Sequence, residues 1–281
     1  MIIDFHTHVF PEKIAEKALK SLSDSSRAIP YTDGTISGRS QSMREAGIDY
    51  CVNLAVATKP TQVESINTNA INGIEKEDET GIIEFGAMHP DYENYKSELS
   101  RIAKAGVKGI KIHPAFCEFD IIDKRFQNII YEACVNDLII VTHAGWDIGF
   151  EEANYIPVNS LIEILQTIQP KKMVLAHMGG WNDWETVEKY LAGSEYYFDT
   201  SFSIGKINKR PDLKDPMRTE NMKDDDFVRL CKKHGISKIL FGTDSPWSDQ
   251  AEYVRAIDRF DFTEEEKNCI FSENAKLLLN M

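Results

Sequence analysis

Asp4-Phe5-His6-Thr7-His8 stands where the first apolar stretch of the chain, residues 1–5, runs out. On an extended strand, side chains two apart share a face. His6 and His8 therefore project together, with Phe5 and Thr7 facing the other way. Two imidazoles side by side at a strand end make half of a metal site. What they amount to depends on what the rest of the chain brings to them.

Seven further apolar runs follow, at 50–56, 82–88, 107–112, 138–142, 173–176, 196–198 and 239–241. Most are rich in Ile and Val and begin after Gly, Pro, Asp or Lys, as buried parallel strands do. Helix-like stretches lie between them, for example 61–76, 92–104, 124–135, 160–168, 184–191 and 224–234. This alternation through the whole chain predicts βαβ units, and about eight of them close a (β/α)8 TIM barrel, an α/β fold. An open doubly wound sheet is the runner-up, but no glycine-rich phosphate loop follows the first strand. Two stretches break the rhythm. Residues 24–40 are rich in Ser, Gly and Asp and read as a loop. Residues 203–223 hold Lys206, Lys209, Arg210, Lys214 and Arg218 with Pro211 and Pro216, and read as a long mobile insertion. With no linker or repeat, residues 1–281 are expected to form one domain carrying these two insertions.

Other polar residues sit where strands should end. His143 follows Leu138–Thr142, His177 follows Met173–Ala176, and Asp244 follows Ile239–Thr243. In a parallel barrel all carboxyl strand ends surround one mouth, so these residues converge with the HTH pair. Each histidine alone is best read as a hydrogen-bonded core or rim residue. Four histidines and an aspartate at one mouth are hard to explain as packing. Three imidazoles and a carboxylate suit zinc first, with iron, manganese and cobalt also compatible.

The segments DFHTHVFP, GIKIHP, THAG, LAHMGG and FGTDSPW resemble the amidohydrolase superfamily, in particular the amidohydrolase-related branch that includes aminocarboxymuconate-semialdehyde decarboxylase. The resemblance extends to the final SENAKLLL helix. It implies a single divalent metal held by His6, His8, His143 and Asp244, with His177 a catalytic group near the metal. By the same resemblance a metal-activated water would attack an acyl carbon, and Asp244 and His177 would handle its protons. Hydrolysis of a C–N or C–O bond in a small carboxylated or cyclic substrate is placed first, because it is the commoner chemistry of the superfamily. Non-oxidative decarboxylation of a small unsaturated or aromatic acid is the alternative. A catalytically silent metal-binding barrel ranks last, since all five positions are filled.

In Gly109-Ile110-Lys111-Ile112-His113 the two isoleucines should face the helices, which turns Lys111 and His113 into the barrel. A buried lysine is rare unless paired. It reads first as a cation for a substrate carboxylate, then as a structural ion pair, and last as a carbamate bridging two metals. His113, Trp146 and Trp247 are expected in the substrate pocket, the tryptophans as an aromatic wall beside Phe116 and Trp181 or as loop packing. Arg39 and Arg210 would be further cationic partners if their loops fold inward. Asp199 and Ser201 read as groups that orient the site or tie down a strand end. His89 has no fixed role, and His234 reads as a last-turn cation.

Net charge is −13 and the sequence pI about 5.1, so nucleic acid and membrane are poor partners and a small molecule is the expected one. The five cysteines form no CxxC pair, and the N-terminus lacks a basic region followed by an apolar one. A cytoplasmic protein with reduced thiols is the expectation. The resembling branch often forms dimers, so a homodimer is the expected assembly.

Overall fold

The apolar runs form eight parallel strands: β1 (Ile3–Thr7), β2 (Tyr50–Leu54), β3 (Ile82–Ala87), β4 (Gly109–Ile112), β5 (Ile139–Thr142), β6 (Met173–Leu175), β7 (Tyr197–Asp199) and β8 (Ile239–Leu240). They pair in chain order from β1 to β8. The computed structural model describes residues 1–150, 152–214, 218 and 220–281, so Pro216 of the expected insertion lies outside the described residues. The ring closes because the segment after β8 returns to β1. Phe5 N–H donates to Phe241 O at 2.7 Å, Asp244 N–H to His6 O at 2.8 Å, and His8 N–H to Ser245 O at 2.8 Å. The fold is a (β/α)8 barrel. Among the described residues, no helix is long and apolar enough to cross a membrane.

Strand alternation sorts the core into two layers. Ile110, Ile112 and Leu175 pack outward on helix residues such as Ile102, Ile129 and Leu161. Phe5, Val52, Phe85, Val141, Val174 and Leu240 fill the barrel, and Leu278 and Leu279 of the last helix (Asn274–Leu279) plug its amino end. Gly109 belongs to the inner layer. A Cβ there would sit 2.4 Å from Phe85 Cε2 and 2.6 Å from Ile139 O, so Phe85 fills this layer only because residue 109 has no side chain.

β1 departs from simple alternation. Phe5 does not face away from the barrel. It packs inside, edge-on to Phe85 at 6.0 Å. Strict alternation would then turn His6 outward. The β1–β2 register shifts between Asp4 and Thr7, and this irregularity brings His6 inward as well.

The stretch at 24–40 is a loop over residues 27–35 and helical at its two ends, where Glu12–Ser26 runs into it and Ile36–Ala46 starts within it. Thr35 caps the second helix by accepting from Gly38 N–H at 3.0 Å. Its buried face is Arg39 and Met43. A helix that buries an arginine shows no apolar stripe, so its polar composition reads as a loop. Helices Lys124–Val135 and Asp224–His234 fall where periodicity places them.

Asp4 clamps the closure. Its carboxylate accepts from His6 N–H (3.2 Å), Thr243 N–H (3.0 Å), Thr243 Oγ1 (2.6 Å) and Gln250 Nε2 (2.7 Å). Burial pushes its pKa up to about 6 despite these donors. Asp4→Ala leaves the donors buried and unpaired, and urea unfolding is expected to show a loss of about 3 kcal/mol. A loss under about 1 kcal/mol would contradict the clamp.

Glu84 on β3 accepts from Asn53 Nδ2 at 2.6 Å, and burial raises its pKa to about 7. A carboxyl raised on folding adds stability below its ordinary value, and that stability is lost as pH climbs through the folded value. Glu84→Gln should therefore raise stability near pH 8 by about 1–3 kcal/mol and flatten its decline between about pH 5 and 8. An unchanged slope would refute this.

Candidate active site

The carboxyl ends of β1, β5, β6 and β8 bring His6, His8, His143, His177 and Asp244 to one mouth. Each imidazole has one nitrogen committed to an acceptor. His6 Nδ1 donates to Asp199 Oδ2 at 2.8 Å, and His8 Nδ1 to Leu54 O at 2.8 Å. His143 Nε2 donates to Trp146 O at 3.0 Å, and His177 Nδ1 to Ser201 O at 3.0 Å. These tautomers follow from the acceptors. The opposite nitrogens then carry lone pairs, and they gather. His8 Nε2 lies 2.9 Å and His6 Nε2 3.5 Å from Asp244 Oδ1. His143 Nδ1 and His177 Nε2 face each other at 3.0 Å. The His6 and His177 rings, 5.2 Å apart, join the two halves.

Electrostatics reinforce this state. Burial, with Lys111 nearby, holds His6 well below the ordinary imidazole range. Burial and the neighbouring His177 lower His143 to about 3, and burial lowers His177 to about 4 against the pull of Asp244. Burial disfavours the Asp244 anion, but the adjoining His8 and His6 rings outweigh it and hold its carboxyl below the usual range. Lone pairs facing one another and a carboxylate at hydrogen-bond distance repel unless a cation stands among them. Neutral imidazoles, an ionised carboxylate and an acceptor behind every ring fit a divalent metal ion. His6, His8 and Asp244 form one compact donor group, with His6 also close to His177 and Asp199. His143 enters through His177.

Asp199 organises the site from behind. Besides His6, it accepts from His177 N–H at 2.9 Å and Ser201 N–H at 3.1 Å. Lys111 points inward, 1% exposed, with Nζ 3.4 Å from His6 Nε2. Burial lowers its pKa to about 8 although Asp199, Asp244 and Asp147 favour its charge. Among the described residues no carboxylate forms a salt bridge with it, which weakens the ion-pair reading.

His113 stacks on His143 at 4.4 Å and meets the edge of Phe116 at 4.5 Å. Its Nε2 is 3.4 Å from Asp147 Oδ2, and burial raises the Asp147 carboxyl. Asp147 escaped the sequence reading, although an acid four residues after a strand-end histidine was there to be weighed. Trp146 lies under Arg218, whose Cζ is 3.3 Å from the ring centroid. Trp146 and Trp247 pack on the cluster of Trp181, Phe202, Ala28 and Ile207. The two irregular stretches meet there, with Ile29 N–H donating to Asn208 O at 2.7 Å.

Neither arginine offered as a carboxylate partner reaches the mouth. Arg39 is buried behind it, and Arg210 pairs with Asp24 and Asp212. His89 accepts from Asp91 N–H in a local turn. His234 is no surface cation. It stacks on Phe198 at 3.7 Å, donates to Tyr196 O, and burial lowers it to about 4.

No curated protein matches the sequence. Solved structures do match along their full length. The 5-carboxyvanillate decarboxylase of Sphingomonas paucimobilis is 13% identical, with a TM-score of 0.67 over 100% of this chain and 99% of that one. The 2,6-dihydroxybenzoate decarboxylase from Rhizobium is 14% identical, with a TM-score of 0.68 over 99% and 98%. A dihydroxybenzoic acid decarboxylase from Polaromonas, with bound manganese and 2-nitroresorcinol, is 15% identical, with a TM-score of 0.67 over 99% and 96%. These neighbours correct the expectation of a hydrolase. That expectation rested on the commonest chemistry of a superfamily, whereas these neighbours of the same architecture and length are decarboxylases. The donor set described above does not distinguish the two chemistries, so the site offers the hydrolase no independent support. The amidohydrolase family model matches residues 3–281. The chain belongs to the amidohydrolase family.

Proposed function

We propose that the protein is a metal-dependent non-oxidative decarboxylase of a small aromatic or unsaturated acid. The observation that carries this reading is a buried amine, Lys111 Nζ, placed 3.4 Å from the ring of His6 at the edge of the lone-pair cluster. The names of the structural neighbours support it. His6, His8, His143 and Asp244 would hold one divalent ion. Imidazole donors suit zinc, and manganese is the ion in one neighbour. The ion supplies Lewis-acid stabilisation of negative charge on substrate oxygens.

The chain's own groups do the rest. Asp244 and His8 are 13% and 15% exposed, against 1% for His6, so substrate approaches from their side. Lys111 would pair with the substrate carboxylate, and His113 with Trp146 and Trp247 would line the pocket for the acid's flat body. Asp199 and Ser201 fix the His6 and His177 rings. When the bond to the carboxylate breaks, its electron pair stays on the substrate carbon and CO2 leaves. That carbon then takes a proton by way of His177 Nε2 or Asp244 Oδ1, bases that first accept it from a substrate hydroxyl or from water at the mouth and hand it on to carbon. A wall of buried apolar and aromatic side chains limits competition from water.

A panel of hydroxylated aromatic acids, scored for CO2 release, tests the reading. Substrate consumption without CO2 would contradict it. Asp244→Asn is expected to lower kcat by on the order of 10^3-fold or more. A silent barrel would instead show no turnover in the parent protein and unchanged ligand affinity in the variant. Lys111→Met should raise KM for the acid at least about tenfold, the loss expected when a buried charge partner is removed. An unchanged KM would remove Lys111 from substrate binding.

A further inference from the structure

Helix Ile36–Ala46 sends Arg39 to a fully buried position behind the mouth. One nitrogen, Nη2, donates both to His8 O at 3.1 Å and to Ser245 O at 2.6 Å. These carbonyls belong to His8 itself and to the residue after Asp244. Arg39 therefore ties together the two segments that carry the His8 and Asp244 side chains. His8 Nε2 and Asp244 Oδ1 meet at 2.9 Å on the other side of the same junction.

The arrangement is costly as a fold element. Nε and Nη1 are buried with no hydrogen-bond partner among the described residues. Burial pulls the guanidinium below its ordinary pKa, while Asp4 and Asp244 attract its charge without contacting it. Taking a cation out of water costs several kcal/mol, which two hydrogen bonds from a single nitrogen offset only in part. Folding alone does not account for it, whereas spacing the His8 and Asp244 segments does.

We propose that Arg39 is a positioning residue that sets the separation of His8 and Asp244 and thereby the affinity of the metal site. This rests on the metal reading given above. Zn2+ binding, measured by competition with a chromophoric chelator, tests it in the full chain. Arg39→Met, which keeps bulk but removes donors and charge, is expected to weaken Zn2+ about 10–100-fold, the usual effect of losing a group that orients ligands. Its metal-free Tm should stay close to the parent's. Arg39→Lys, which still donates, should recover most of the affinity. Should Arg39→Met fail to fold, Arg39→Leu takes its place in the same comparison. Affinity within twofold of the parent in the donor-less variant would overturn the proposal, as would equal weakening by Lys and by the neutral variant. A parent protein that takes up no Zn2+ would overturn the metal reading and this inference with it.

Discussion

The structure depends on how the last strand returns to the first. Three backbone hydrogen bonds join the segment after β8 to β1, and one of them runs from Asp244 N–H to His6 O. The barrel seam and the candidate metal site are thus one junction. Asp4 braces it from the helix side, and Arg39 braces it between His8 and Ser245. Elsewhere around the ring, strand pairing holds apolar side chains. At the seam it holds the carboxylate against the HTH pair.

The chemistry of the site follows from hydrogen bonds that point away from it. Asp199, Leu54, Trp146 and Ser201 each take one N–H from an imidazole. That choice fixes the tautomers and aims lone pairs at a common point. Burial keeps the His6, His143 and His177 rings neutral, which is the protonation state a metal ligand needs. The same burial would be unfavourable for Asp244 without His8 beside it. A site of this kind is destabilised when empty of charge, so ion binding and the fold support each other.

Much of this was legible in the sequence, for a physical reason. Buried parallel strands are short apolar runs, and a polar residue at the end of one lies at the mouth. His143, His177 and Asp244 announce themselves that way, and the Ile110-Lys111-Ile112 pattern announces an inward lysine. What could not be read was set by irregular backbone or by buried polar groups. The register shift that turns His6 inward beside Phe5 leaves no mark in an alternation pattern. The helix Ile36–Ala46 buries an arginine where an apolar residue would have marked its face. His234 is neutral because Phe198 covers it, a contact between residues far apart in sequence. The preference for hydrolysis came from frequency within a superfamily, and no residue had argued for it.

The central claim is that three imidazoles and one carboxylate, with His177 beside them, are arranged for a single divalent ion. Anomalous diffraction at the metal absorption edge, from crystals of the protein purified with Zn2+, tests this directly. The account predicts one peak, about 2.0–2.2 Å from His6 Nε2, His8 Nε2, His143 Nδ1 and an Asp244 oxygen. No peak there, or a single peak between His113 and Asp147 instead, would contradict it.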